Sequence, residues 1–297
     1  RVLFRSKLRI VIEWLKMIKK REVNKLSKKI GIPRSLFYYY YYPAFKTFFE
    51  HLGFEVYTSP KTNRKIMDEG IKLAVDDLCL PFKVYFGHVS FLINKVDYIL
   101  IPKLISFDKK NKFCPKFMGL PDMVRSVFKS KIKGKIIAPD IKKKNNILPF
   151  HNYAIEIGKS LNKNRLDIEK AYLSALNKQR KFHKIERKGY LTEKAIKITN
   201  SSNSEINLKK DRIEDKRLSV VVLGHDYIIG DEYLNIGLWQ KLSELGVRYI
   251  TSEMLEDKIK EKAAKYQKKN SFWYFNRLLM GTAYHYLYDN PQQIDGI

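Results

Sequence analysis

Cysteine is almost absent from this chain: Cys79 and Cys114 are the only two in 297 residues. That excludes a disulfide framework, and with no CxxC pair a zinc site has little support. No secretory pattern precedes the thiols, so they fit a reducing, cytoplasmic setting. No apolar run reaches the roughly 18 residues that a membrane-spanning helix needs. The phosphate loop GxxxxGK[ST], the dinucleotide fingerprint GxGxxG, the metalloprotease HExxH and the nucleophile elbow GxSxG are all missing. Acidic residues are also scarce, with 31 Asp and Glu against 58 Lys and Arg, a net charge of +27. Such a surplus suits an anionic partner: nucleic acid, a membrane surface or a phosphate-bearing ligand. Readers of phosphate and base are usually arginines, and this charge is mostly lysine, spread widely with short runs such as Lys142–Lys144. Nucleic acid is therefore not the expected partner, and a basic nucleic-acid-binding protein stands only as an alternative.

What is plentiful is apolar and aromatic: 44% hydrophobic and 13% aromatic residues, enough for a folded chain of more than one lobe. Residues 1–27 read as a basic amphipathic helix, with Leu8, Val11, Ile12, Leu15 and Ile18 on one face. A compact α/β pattern starts near Lys29. Strands are expected at Lys29–Pro33, Phe54–Thr58, Asp97–Ile101 and Ile136–Ala138, with helices around Pro43–Leu52, Arg64–Val75 and Phe82–Asn94. Residues 148–198 form a helical segment, broken near Asn162–Asn164. Residues 199–216 read as a polar linker, and Leu218–Leu223 as a buried strand. The chain thus divides into an N-terminal α/β lobe (28–147), the helical segment, the linker and a C-terminal α/β lobe (217–297).

The two lobes look alike. Gly31 to Gly53 spans 22 positions, and so does Gly224 to Gly246. In that gapless register Leu52-Gly53 aligns with Leu245-Gly246, and Thr58-Ser59 with Thr251-Ser252. Each copy reads strand, loop, helix, Leu-Gly, strand, which suggests an internal repeat. The strand VDYIL beginning at Asp97 then corresponds to IDGI at Asp295, so the second lobe is expected to be truncated as that strand begins.

Ligands of parallel α/β sheets bind beyond the carboxyl ends of the strands. Two loops are expected there: Arg34–Tyr42, with five consecutive tyrosines at Tyr38–Tyr42, and Pro102–Leu120, which carries Cys114. The turn Asp76–Pro81 carries Cys79 and can approach from the side. Five adjacent aromatics cannot all face one core, so one or two rings are expected to line the cleft between the lobes. Arg34, Tyr38, Tyr39, Lys103 and His225 are the candidate cleft-lining residues. Converging thiolates suit an iron–sulfur cluster, which normally takes three or four Cys; the alternative is two unrelated buried cysteines. Asp76 and Asp77 could move protons or simply be a solvated turn. Lys83, Lys103 and Lys116 could meet a coenzyme phosphate.

The stretches IGIPRSLFYYYYYPAFKTFFEHLGFEVYTSP, TNRKIMDEGIKLAVDDLCLPFKVYFGHV, VDYILIPKL and FCPKFMGLPD resemble the acyl-CoA dehydratase activase-related proteins. These are also labelled CoA-substrate-specific enzyme activases and are relatives of the 2-hydroxyacyl-CoA dehydratase subunits. VVLGHDYIIGDEYLNIGLWQKLSELGVRYITSEML and FWYFNRLLMGTAYHYLYDNPQQIDGI fit the same family. The resemblance implies two Rossmann-like lobes with an oxygen-sensitive iron–sulfur cluster of the 4Fe-4S kind between them. It also implies an ATP-dependent activase partner, an acyl-CoA substrate, and a homodimeric or heterodimeric assembly in anaerobic, cytoplasmic metabolism. As an enzyme the chain would be a 2-hydroxyacyl-CoA dehydratase-like lyase or an ATP-coupled low-potential reductase component. Cys79 in DDLCLP and Cys114 in FCPKF match cysteine positions of the family, as metal ligands. A further Cys is expected after IDGI, so the ligand set of this chain would be incomplete. The alternative is a cluster-free structural or regulatory partner.

Overall fold

The computed structural model describes residues 27–106, 112–142, 150–201, 218–268, 271 and 273–297. Apart from its last residue, the amphipathic helix expected over 1–27 lies outside them, as does most of the 199–216 linker. Thr199 and Asn200 close a helix instead.

The chain starts with β1 (Lys29–Ile32), α1 (Tyr38–His51), β2 (Glu55–Thr58), α2 (Arg64–Leu73), α3 (Leu80–Leu92) and β3 (Tyr98–Leu100). It goes on through β4 (Lys103–Ser106), α4 (Pro115–Met118), α5 (Leu120–Phe128), β5 (Ile136–Ile137) and β6 (Asp140–Lys142). Three helices follow: α6 (His151–Ser160), α7 (Arg165–Glu186) and α8 (Thr192–Asn200). The last part holds β7 (Leu218–Val222), α9 (Asp226–Ile229), α10 (Leu238–Glu244), β8 (Val247–Thr251), α11 (Asp257–Ala263) and α12 (Tyr274–Tyr284). Asn side chains start two of the helices: Asn63 Oδ1 accepts from Ile66 N–H at 3.1 Å, and Asn164 Oδ1 from Asp167 N–H at 2.9 Å.

The first sheet is parallel, in the order β2-β1-β3-β5. β4 and β6 form a second parallel pair just beyond β3 and β5, each reached across a proline, Pro102 and Pro139. Pro102–Leu120 was expected to be one loop; it contains β4 and α4. Strand order reverses between β1 and β3, because the chain runs from β1 outward to β2 and then returns to the other side. The crevice at such a switch point opens beyond the ends of those two strands. Around β7 the arrangement is comparable. β8 pairs with it in parallel, and Gly296 bridges to Val220 in parallel from the chain's last residues. The two edges share a detail: Lys29 N–H donates to Asp97 Oδ2 and Ser219 N–H to Asp295 Oδ2, both at 2.7 Å. Gly53 and Gly246 end α1 and α10 with φ of +81° and +65°, a conformation that glycine takes without strain.

One face of the first sheet packs Ile30, Leu100 and Ile137 against Phe49 of α1 and Ile157, Ile168 and Ala171 of α6 and α7. The main core draws on both ends of the chain, joining Ile32, Tyr85, Ile99 and Phe117 to Tyr227 and Phe275.

The five tyrosines were expected in a loop before a helix starting at Pro43; they form the first five residues of α1 instead. Phe37 caps that helix, its carbonyl accepting from Tyr41 N–H at 2.9 Å. Pro43 stands inside, where its ring forfeits one helical hydrogen bond. The helix is enclosed on several sides by β1, β2, α7, α8 and α9. Tyr38, Tyr39, Tyr40 and Tyr42 are all buried and Tyr41 is half-buried; Tyr40 and Tyr41 help to line a cavity of about 60 Å³ together with His225 and Phe275. A helix surrounded by protein is apolar all round.

Candidate functional site

Cys79 and Cys114 occupy the same local structure. Each is the last extended residue before a helix, with φ/ψ of −64/146° and −52/141°. A proline follows within two positions, and the residue before a proline is biased towards that extended region, which fits Cys114 directly. Each cysteine's carbonyl accepts from the N–H groups three and four residues on: Phe82 and Lys83 for Cys79, Phe117 and Met118 for Cys114. The backbone of both residues is thereby pinned, while the thiols stay free, Cys79 exposed and Cys114 half-buried.

The segments carrying them meet. Phe82 and Phe117, each three residues after its cysteine, pack with ring centroids 4.9 Å apart, and Lys116 Nζ reaches the carbonyl of Asp77 at 3.4 Å. Phe117 also touches Phe37, in the loop after β1, at 5.0 Å, which sets the pair at the switch point of the first sheet. From the other side comes the loop after β7. Tyr227 packs on Phe117 at 5.8 Å, and burial followed by the nearby Cys79 and Cys114 sulfurs raises the pKa of its hydroxyl. One tyrosine is thus within electrostatic reach of both thiols. His225 stacks on Tyr227 at 4.9 Å and 17°, and burial lowers its pKa. Its Nδ1 is buried without a hydrogen-bond partner.

The remaining residues singled out in the sequence are placed as follows. Arg34 pairs with Glu193 of α8 through a single nitrogen, Nη2, which donates to both carboxylate oxygens at 2.6 and 2.8 Å, and its guanidinium lies over the Tyr38 ring at 5.3 Å. Tyr39 donates to Asp231 at 3.0 Å. These three hold the first sheet to α8 and to the segment after β7. Lys103 sits on β4, 3.9 Å from Asp140, and no contact brings it to the thiols. Lys83 caps the carbonyl of Asp76 at 2.9 Å.

Two buried networks bring in Thr62, Asp231, Glu186, Thr192 and Asp226, which the sequence did not single out. In the first, Asp231 accepts from Tyr39, from Thr62 and from the N–H groups of Tyr233 and Leu234. Thr62 contacts His88 Nε2 at 3.0 Å, and His88 Nδ1 meets Ser59 at 2.8 Å. His88 is fully enclosed, and burial, with the Arg34 charge, lowers its pKa to about 3. The second network joins Gln179, His183, Glu186, Thr192 and Asp226 beside a cavity of about 60 Å³ that His183, His225, Glu253 and Asp257 help to line. The one trace of these networks in the sequence is the apolar run Tyr227–Ile229 between two aspartates, Asp226 and Asp231, in a segment otherwise read as loop.

Among the described residues, no three His, Cys, Asp or Glu side chains are grouped so as to hold a metal ion. An iron–sulfur cluster normally takes three or four Cys ligands; the two thiols are of the right chemical kind for it, and the described residues group no third such side chain with them. Among them, too, no helix is long and apolar enough to cross a membrane.

No curated protein matches the chain. The family model described as the CoA enzyme activase uncharacterised domain matches residues 29–255, from β1 through β8, and so takes in Cys79, Cys114 and the Tyr227 segment. The chain belongs to that family, among the acyl-CoA dehydratase activase-related proteins.

Proposed function

We propose that this chain is an iron–sulfur electron-transfer or dehydratase-like component working with 2-hydroxyacyl-CoA dehydratase chemistry. Cys79 and Cys114 furnish two ligands of its cluster. The observation that carries the reading is the convergence of two identically built Cys–helix starts on Tyr227 at a sheet switch point. The remaining ligands come from outside the described residues. When bound, the cluster supplies low-potential one-electron chemistry. The residues of this chain do the rest. Phe37, Phe82, Phe117 and Tyr227 form an apolar wall that keeps water from the buried side of the thiols. The backbone pinning of the two cysteines holds their sulfurs in place.

The two lobes are read as Rossmann-like copies related by an internal repeat. Support comes from the matching Asp97 and Asp295 bonds and from the left-handed Gly53 and Gly246. The partner is an ATP-dependent activase. Exposed Cys79 is followed in the chain by exposed Leu80 and preceded by exposed Ile71 and Val75, apolar side chains of the kind that suit protein docking.

Anaerobic reconstitution with iron and sulfide, followed by metal analysis and electron paramagnetic resonance, tests the reading. A cluster that is lost or spectrally altered in Cys79→Ala and in Cys114→Ala is expected. A cluster indifferent to both substitutions, or no uptake, overturns it.

A further inference from the structure

Thr192, at the start of α8, sits between two carboxyl groups. Its Oγ lies 3.1 Å from Glu186 Oε1 at the end of α7 and 2.8 Å from Asp226 Oδ2 at the start of α9. A hydroxyl has one hydrogen and can donate to one carboxylate only. The second contact is a hydrogen bond only if that carboxyl brings a proton of its own. All three side chains are almost wholly buried, at 1% exposure for Glu186, 5% for Thr192 and 3% for Asp226.

One cation is near, the Lys260 ammonium, whose charge opposes the rise in the pKa of both carboxyls, but among the described residues no cation is hydrogen-bonded to either. His183 Nδ1 meets Glu186 Oε2 at 3.0 Å, but its other nitrogen is 2.9 Å from the amide nitrogen of Gln179. That amide also donates to the Tyr40 carbonyl at 2.7 Å, so the nitrogen is fixed there and His183 Nε2 must be the acceptor. His183 is therefore neutral, in keeping with the lowering of its pKa by burial. Lys260, fully buried on α11, is committed elsewhere, to Asp257 at 2.7 Å and the Ser252 carbonyl at 3.1 Å. Facing the trio as well are Glu253 and Asp257, which add negative charge, and the Tyr40 hydroxyl, which accepts from Asp226 N–H at 3.2 Å.

We propose that Glu186, Thr192 and Asp226 form a proton-binding site that holds one proton at neutral pH and thereby fixes residues 225–229 against the helical segment. The consequence is positional, because Asp226 lies between His225 and Tyr227, the two rings that reach towards the thiol site. With the proton in place, α7, α8 and α9 are tied by an unbroken hydrogen-bond chain. Without it, two like charges face each other in the buried interior and drive α9 outward. Burial first, and the Glu253 charge next, raise the pKa of both carboxyls. Docking is complete at low pH and is lost as pH rises through the raised value in the folded protein. The inference stands on this network alone, whether or not Cys79 and Cys114 bind a cluster.

Hydrogen–deuterium exchange of the peptide covering residues 225–230, corrected for intrinsic rates, tests it across the alkaline range. Loss of one proton on opening raises exchange about tenfold per pH unit. The intact protein should show that slope, while Glu186→Gln and Asp226→Asn, which mimic the protonated acid, should change less than about twofold per unit. Equal slopes in all three proteins overturn the proposal. Infrared spectroscopy of the unsubstituted protein decides the matter without variants: a protonated-carboxyl stretch at neutral pH is expected, and its absence refutes the site.

Discussion

Gly87→Ala should loosen the hairpin that presents Cys79. α2 and α3 cross at two glycines, with backbone against backbone. A Cβ on Gly87 would stand 2.0 Å from the carbonyl oxygen of Ile66, and one on Gly70 would stand 2.0 Å from that of Lys83. Both obstacles are main chain, so no side-chain rotation relieves them. Restoring an ordinary contact of 3.4 Å moves the helices apart by about 1.4 Å. The buried residues of α2 are Ile66 and Gly70, so that shift uncovers most of what holds it. Overpacking of this kind costs about 3 kcal/mol at the upper end of the usual range, offset by about 1 kcal/mol from alanine's better helix propensity. The net loss is about 2 kcal/mol, or a fall in Tm of roughly 4–8 °C for a chain of this size. Differential scanning calorimetry measures it, with Gly119→Ala as control. There the nearest atom is 3.5 Å away and φ is −88°, so little change is expected. A Gly87→Ala protein as stable as the control would refute the close approach of α2 and α3.

Other outcomes follow from the buried polar groups. Asp231→Asn replaces a carboxylate that accepts from Tyr39, Thr62 and two backbone N–H groups, and should cost about 2–4 kcal/mol, read as a drop in Tm. His88 is held neutral, with its pKa lowered to about 3 by burial. Its contribution to stability is present above the ordinary histidine range and fades as pH falls from about 6.5 towards 3. His88→Gln should flatten the decline of Tm over that interval, and an unchanged acid profile would contradict the assignment. Arg34→Lys keeps the charge but loses the guanidinium plane over Tyr38 and with it the fixed placing of the charge against Glu193, so limited proteolysis after α8 should quicken severalfold.

Much of the framework was legible because it rests on local rules. The strand at Lys29, the break at Asn162–Asn164 and the Leu-Gly turns at Gly53 and Gly246 are signalled by periodicity and by glycine's freedom at positive φ. Asp97 and Asp295 were paired through the likeness of VDYIL and IDGI, and each accepts from a backbone N–H of a neighbouring strand. The tyrosine run misled for a physical reason. A helix buried on several sides loses its polar face, so no period remains, and Pro43 looked like a first-turn residue although α1 admits it further in. That the two cysteine segments approach each other was expected from their places near the sheet's carboxyl edge, but the contacts through Phe82, Phe117 and Tyr227 were not, because that packing is tertiary. Glu186, Thr192 and Asp226 lie at separate places in the chain, and nothing local tells a buried carboxyl from a solvated one.

The central claim is that Cys79 and Cys114 serve one site. Residue-resolved alkylation, performed anaerobically before and after loading with iron and sulfide and read by mass spectrometry, tests it most directly. Both thiols should be labelled in the metal-free protein and become protected together on loading, with either Cys→Ala substitution exposing the other. Protection of one without the other, or of neither in protein that has taken up iron, would contradict the account.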